Sequence, residues 1–247
     1  MCKFELLLGD CYKIIPTINC NIDCVITDPP YHFPDGVRGG GLFSSDQSKY
    51  KRGVRKVLDN LEKLNSTVFN PNIFLDLLKS KMKKFYGYFF CNKTLISSYI
   101  NWAEKNNFIY DLLTLIKQNP IPAHSTHHMS DIEYIVLIRD KGTFFNGKDC
   151  SFDDYRKWFL KTCKKQLHPA EKPVELLSRF IKVSCKKGSL ILDAFMGSGS
   201  TGIAALESNC RFIGIEKDKD CFELASKRIQ ETENDINGIG TMFEGIL

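Results

Sequence analysis

Residues 28–31 read Asp-Pro-Pro-Tyr and directly follow the apolar run Cys-Val-Ile-Thr. A carboxylate at the end of a buried strand lies where open α/β sheets hold their ligands. Pro29 and Pro30 fix φ and surrender two amide donors, which leaves carbonyls presented on a stiff turn. An oxygen of Asp28 and a carbonyl oxygen can accept both hydrogens of an exocyclic amine while Tyr31 stacks on the ring that bears it. That arrangement suits the NH₂ of a nucleobase extruded from its duplex. Such a nitrogen is a poor nucleophile because its lone pair is delocalised into the ring. Two acceptors draw it toward tetrahedral character through orientation and electrostatics, with no covalent intermediate. Taken alone, the same four residues also fit a rigid turn that caps a strand.

A second candidate is "LILDAFMGSGSTGIAAL", residues 190–206, in which small residues join a strand to a helix N-terminus. Backbone amides there are open to a ligand. Asp193 ends the strand, and Glu216 ends the next one 23 positions on, where a carboxylate commonly accepts from ribose hydroxyls. The pattern points to an adenosine-containing cofactor. A phosphate-cradling Gly-x-x-x-x-Gly-Lys-Ser/Thr motif is absent. A dinucleotide loop would need its third glycine to pack helix on strand, and the run Gly197, Ser198, Gly199, Ser200, Thr201, Gly202 is read instead as curling around a zwitterion. S-adenosylmethionine, with ribose and adenine but no pyrophosphate, is the expected cofactor. A tight turn without ligand accounts for the loop but poorly for Glu216.

The surrounding chain must place these two loops side by side. Its 247 residues suffice for one substantial domain, and 43% hydrophobic with 26% charged residues is an ordinary globular composition. No stretch is long and apolar enough to span a membrane, and "MCKFELLLGD" lacks the features of a signal peptide, so a cytoplasmic location is expected. Ten scattered cysteines without a Cys-x-x-Cys pair read as free thiols in a reducing compartment, and His124, His127 and His128 read as a polar loop; no metal is expected. Basic runs at 49–56, 79–84 and 156–165 permit a nucleic-acid partner, although each alone is as readily a solvated helix face.

Strand-like segments at 4–10, 23–28, 85–92, 108–119, 132–140, 188–195 and 211–216 alternate with helical periodicity at 70–84, 94–107, 172–185, 200–209 and 221–233. A single doubly wound α/β domain over 1–247, with a largely parallel sheet covered on both faces, is expected. Two polar segments interrupt it. Residues 32–70 read as a mobile loop beside the active site, and 141–167 as an insertion.

The order "GDC" (9–11), "DPPY" (28–31), "HPAEKPVELL" (168–177), "LDAFMGSGST" (192–201) and "GIEKD" (214–218) resembles the β-class, circularly permuted amino-methyltransferases of DNA over nearly the whole chain. The resemblance implies a Rossmann-like, mostly parallel seven-stranded sheet and methylation of adenine N6, in a restriction-modification setting with a cognate endonuclease or as an orphan relative. It also implies catalysis by Asp28, Pro29, Pro30 and Tyr31, and a homodimer. Asp10, Cys11, Asp28, Asp193, Phe195, Gly197, Ser198, Gly199, Ser200, Thr201, Glu216 and Lys217 would line the cofactor, with His168, Lys172 and Pro173 near its methionine end. Asn119 and Pro120 match the family's segment beside the target base, where a preceding tryptophan is Leu115 or Ile116 here. His32, Phe33, Arg38, Lys49, Lys51, Arg52 and Arg55 would close over flipped base and backbone, and 141–167 would read the target sequence. Cytosine-N4 transfer, RNA amine transfer and a non-catalytic DNA-binding relative are the competing readings.

Overall fold

The apolar runs expected as strands assemble, in a computed structural model of the protein, into one sheet. The structure describes residues 3–30, 69–117, 132–146, 159–160 and 171–244. The strands are β1 (Phe4–Leu8), β2 (Cys24–Thr27), β3 (Tyr86–Cys91), β4 (Ile109–Lys117), β5 (Ile132–Arg139), β6 (Phe159–Leu160), β7 (Leu190–Asp193) and β8 (Arg211–Glu216). Their spatial order is β1-β8-β7-β2-β3-β5-β4-β6. Seven strands of four residues or more form the expected sheet, and the two-residue β6 extends its edge. Only β5 runs against its neighbours: it pairs antiparallel with both β3 and β4, whereas every other described pair is parallel.

Helices cover both faces. On one side lie α1 (Cys11–Ile14), α2 (Pro71–Lys79) and α3 (Ile96–Lys105); on the other lie α4 (Val174–Ser184), α5 (Ser200–Glu207) and α6 (Lys219–Glu244). This double coverage explains why the central strands are apolar without alternation. In β3, Phe89 and Cys91 enter the core beneath α2 and α3, while Tyr86, Tyr88 and Phe90 enter the core beneath α4. Tyr88 stacks on Phe180 of α4 at 4.3 Å between ring centroids. The helix starts follow local chemistry. Asn70 Oδ1 accepts from the Asn72 and Ile73 amides while Pro71 occupies the first turn of α2, and Pro173 stands immediately ahead of α4.

α6 runs well past the expected end at 233, to Glu244. Ile236 packs on the core and Lys3 Nζ donates to Asn237 Oδ1, tertiary contacts that hold a stretch of weak helical periodicity in the helix. The seven described cysteines are free thiols, as expected. No helix among the described residues is long and apolar enough to cross a membrane.

β7 leads outward through α5 to β8, whereas its neighbour β2 leads in the other direction to β3. The gap between their C-terminal ends is therefore a topological switch point, the crevice where doubly wound sheets bind ligands. The basic run at 79–84 precedes β3 and so sits at the opposite end of the sheet. Three of its lysines are engaged locally: Lys79 Nζ donates to Asn106, Lys81 Nζ to the Pro16 and Ile18 carbonyls, and Lys84 Nζ to the Gly142 carbonyl. These lysines pin loops on the face away from the crevice, so this run does not belong to a surface around it.

Candidate active site

Asp28, Asp193, Glu216 and Asp10 each follow or end a parallel strand, and the shared strand direction gathers them at one edge of the sheet. β5 joins them because it is reversed: Tyr134 pairs with Cys91 at the end of β3, so Glu133 lies at the same edge. Two neighbouring strands are bonded through side chains, since Thr27 Oγ1 donates to Asp193 Oδ1 at 2.7 Å. The same oxygen accepts from Phe195 N at 3.1 Å, which turns the chain into the glycine loop. Burial pushes Asp193 up to about 6, against the lowering effect of hydrogen bonds from Thr201, Thr27 and the Phe195 amide.

Gly199 has φ of +83° and precedes the first residue of α5. An added Cβ there would lie 3.0 Å from Ala225 Cβ, so both backbone sign and close helix packing require glycine. At Gly197, φ is +52° and a Cβ would meet only the Phe195 carbonyl at 4.0 Å, which leaves the loop surface open to a ligand. Gly202 packs where a Cβ would meet Phe212 Cε1 at 2.8 Å, the helix-on-strand role of a third glycine in a dinucleotide loop. The loop pattern therefore does not by itself separate S-adenosylmethionine from a dinucleotide, contrary to the expectation from the sequence.

Glu216 holds this loop through backbone amides. Its Oε2 accepts from Gly197 N at 2.7 Å, and its Oε1 accepts from Lys217 N and Asp218 N, both at 2.8 Å. The Glu216 carbonyl accepts from Gly9 N at 2.7 Å, which brings Asp10 alongside. Asp10 caps α1 by accepting from Tyr12 N. Burial, then Asp10, pushes the Cys11 thiol up to about 12, and burial, then Asp28, does the same to Cys91. Both stay protonated near neutral pH and neither is a nucleophile. The Phe195 ring packs on Phe69 and Phe74 at 5.7 and 5.5 Å.

Asp28 is one-fifth exposed and Pro29 is buried. Lys172, expected beside the cofactor's methionine end, is found against Asp28: Nζ lies 2.5 Å from Asp28 Oδ2 and 3.6 Å from Glu133 Oε2. Burial alone would lower the Lys172 pKa, but Asp28 and Glu133 outweigh it and raise it above the ordinary lysine value. Asp28 Oδ1 is buried and has no hydrogen-bond partner among the described residues. Pro173 follows Lys172 and aims the chain into α4.

Three residues at this edge carry no signal of a site role in the sequence. Glu133 reads there only as part of a strand. Arg228 of α6 donates through Nη1 to the Ser198 carbonyl at 2.6 Å and through Nη2 to Glu171 Oε1 at 2.7 Å, tying the glycine loop to the segment that carries Lys172. Arg228 and Glu171 are 57 positions apart, and no local pattern signals their pairing. Tyr31, His32, Phe33, Arg38, Lys49, Lys51, Arg52, Arg55, Asn119, Pro120 and His168 lie outside the described residues.

A similar overall fold occurs in solved structures. The M1.HpyAVI-SAM complex superposes with a TM-score of 0.67 at 22% identity, covering 92% of this chain and 98% of the other. The cytosine-N4-specific PvuII DNA methyltransferase superposes with a TM-score of 0.65 at 13% identity, covering 96% and 93%. By sequence, the Type II methyltransferase M2.MboI of Moraxella bovis is 29% identical over 93% of this chain and 88% of its own length. M2.DpnII of Streptococcus pneumoniae is 29% identical over 95% and 92%. The N6/N4 methyltransferase family model, described as DNA methylase, matches residues 22–227, a span that runs from the strand leading into Asp28 to the helix whose Arg228 braces the glycine loop, and the chain belongs to that family of DNA methylases.

Proposed function

We propose that this DNA methylase transfers a methyl group from S-adenosylmethionine to the N6 amine of adenine at a specific site in duplex DNA, the target base being flipped into the crevice between β2 and β7. The observation that carries the reading is Asp28 Oδ1, a buried acceptor without a partner among the described residues, one strand away from the glycine loop. A buried orphan acceptor costs free energy unless a ligand satisfies it, and an exocyclic amine is a donor of the right kind. Asp28 Oδ1 accepts one N–H of the amine and the Pro29 carbonyl accepts the other. The nitrogen lone pair is thereby freed from the ring and held in one direction. Tyr31 stacks on the base.

The residues present fit the cofactor. Open space at Gly197, the left-handed turn at Gly199 and the Glu216 carboxylate together form a cradle for an adenosine ribose and the zwitterion attached to it. Asp10, Cys11, Asp193, Phe195, Ser198, Ser200, Thr201 and Lys217 complete it, with His168 and Pro173 toward the methionine end. When bound, S-adenosylmethionine supplies a methyl group made electrophilic by its sulfonium sulfur. His32, Phe33, Arg38, Lys49, Lys51, Arg52 and Arg55 of the 32–70 segment close over the flipped base and the DNA backbone, Asn119 and Pro120 contact the target base, and residues 141–167 read the sequence. The named relatives are Type II methyltransferases, which supports a restriction-modification setting; a cognate endonuclease, a cytoplasmic location and action as a homodimer belong to the same proposal.

The test is to incubate the protein with tritiated S-adenosylmethionine and duplex DNA, digest to nucleosides and identify the labelled one. Label in N6-methyl-2′-deoxyadenosine supports the reading, and label in N4-methyl-2′-deoxycytidine replaces adenine by cytosine. The Asp28→Ala variant should lose at least ~100-fold in rate while still binding cofactor, the scale of loss when one oriented hydrogen-bonding group is removed from a transition state.

A further inference from the structure

Lys172 reaches the site from a segment remote in sequence from both of its partners, and the three charged groups come from three different elements. Asp28 follows β2, Glu133 is the second residue of β5, and Lys172 directly precedes Pro173, the residue ahead of α4. Nζ lies 2.5 Å from Asp28 Oδ2, 3.6 Å from Glu133 Oε2 and 5.1 Å from the centre of the Phe90 ring. The lysine side chain is 11% exposed, and the two carboxylates 20% and 18%. An ammonium buried to this degree and ringed by two acceptors and an aromatic face has little rotational freedom.

Two consequences follow for Asp28. One of its oxygens is occupied, so the carboxylate is held in place and the other oxygen, Oδ1, is left to accept. In addition, the Lys172 ammonium stands between two carboxylates from different strands and offsets their mutual repulsion. Glu133 balances the lysine in turn. The group as a whole carries one negative charge in excess, so a cationic cofactor meets no net repulsion.

We propose that Lys172 is a positioning residue for methyl transfer, clamped between Asp28 and Glu133 so that Asp28 Oδ2 is held and Oδ1 is left to accept from the target amine. The inference rests on the reading of Asp28 as the amine acceptor. It departs from the sequence-based placement of Lys172 at the cofactor's methionine end, and the two placements differ in what a substitution changes.

The experiment compares wild type with Lys172→Met, Lys172→Arg, Glu133→Gln and Asp28→Ala, measuring kcat and DNA KM at saturating S-adenosylmethionine, cofactor Kd by titration calorimetry, and thermal unfolding. Lys172→Met should lower kcat by about 100-fold, the cost of a misplaced reacting geometry, with cofactor Kd changed less than about threefold. Lys172→Arg should recover about tenfold of that loss, because the charge and a donor to Asp28 return in altered geometry. Glu133→Gln should lower kcat less than Lys172→Met, again without weakening the cofactor. If Lys172→Met does not fold, the kcat and Kd of Lys172→Arg and Glu133→Gln decide by the same split. Weakened cofactor with kcat unchanged at saturation would overturn the proposal and make Lys172 a cofactor ligand. Unchanged kcat in both lysine variants beside an inactive Asp28→Ala overturns it as well. Full activity of Asp28→Ala instead removes the underlying reading of Asp28.

Discussion

Thr27 Oγ1 donates a 2.7 Å hydrogen bond to Asp193 Oδ1, joining the strand that leads into Asp28 to the strand that leads into the glycine loop. Both side chains are buried, at 1% and 4% exposure, so the bond couples the two halves of the crevice where water cannot replace it. Thr27→Val keeps the side-chain shape and removes the donor. Unfolding in urea should show a loss of about 1–3 kcal/mol, the cost of stripping a partner from a buried polar group. An unchanged midpoint and slope would mean that Asp193 finds another donor.

Asp193 itself makes stability depend on pH in an uncommon direction. Burial raises its folded-state pKa from 3.8 to about 6, outweighing the hydrogen bonds it accepts. Because the folded value lies above the unfolded one, the group's contribution is fully present below pH 3.8 and is lost as pH rises through about 6. Asp193→Asn cannot titrate. The unfolding free energy of wild type minus that of Asp193→Asn should therefore increase by roughly 2–3 kcal/mol between neutral pH and pH 4, at about 1.4 kcal/mol for each pH unit that separates the folded and unfolded values. A difference that stays flat across that window would show that Asp193 is not the titrating group.

Gly199 concentrates two constraints in one position, a φ of +83° and a Cβ site 3.0 Å from Ala225 Cβ and 3.2 Å from Ile229 Cδ1. Gly199→Ala should destabilise the protein by about 1–3 kcal/mol, from the left-handed backbone and the overpacking of α5 on α6. It should also weaken S-adenosylmethionine, since the loop must shift to relieve the contact. A thermal scan with and without cofactor separates the two effects: loss of stability in both scans with an undiminished cofactor-induced rise would confine the damage to packing.

What the sequence disclosed and what it concealed divide along physical lines. β2, β7 and β8 were legible because strands buried on both faces are apolar throughout, and the acids that end them stand out against those runs. Asp28, Asp193 and Glu216 thus came to one edge as expected once the strands proved parallel. Glu133 was not legible, because "IEYIVLIRD" reads identically whichever way the strand runs, and only its antiparallel pairing with β3 brings that carboxylate to Lys172. Arg228 was hidden for a related reason. On an amphipathic helix it resembles any solvated arginine, and its role depends on Glu171 and the Ser198 carbonyl, which only the fold brings within reach. Of the basic runs, the one at 79–84 is the one the described residues include in full. Its lysines at 79, 81 and 84 bind local loops at the far end of the sheet, in line with the reading of a single run as not part of a nucleic-acid surface.

Glu216 gives a last prediction from hydrogen-bond accounting. A carboxylate offers about four acceptor positions, and three are taken by the amides of Gly197, Lys217 and Asp218. The two hydroxyls of a ribose need two, so on cofactor binding one amide bond must be given up. The bonds from Lys217 and Asp218 close over adjacent residues, whereas the bond from Gly197 crosses between β8 and the glycine loop, so Gly197 N is the donor to be displaced. The Gly197 amide resonance should then be among the most shifted when S-adenosylmethionine is titrated into labelled protein. Glu216→Gln replaces an acceptor oxygen by an NH₂ that faces donors, and it should weaken the cofactor by about 10- to 100-fold, or roughly 1.4–2.8 kcal/mol, by calorimetry. Glu216→Asp keeps the charge on a shorter arm and should recover part of that loss. Equal cofactor affinity in wild type and Glu216→Gln would mean that the carboxylate serves the loop alone, and that the ribose hydroxyls are held elsewhere.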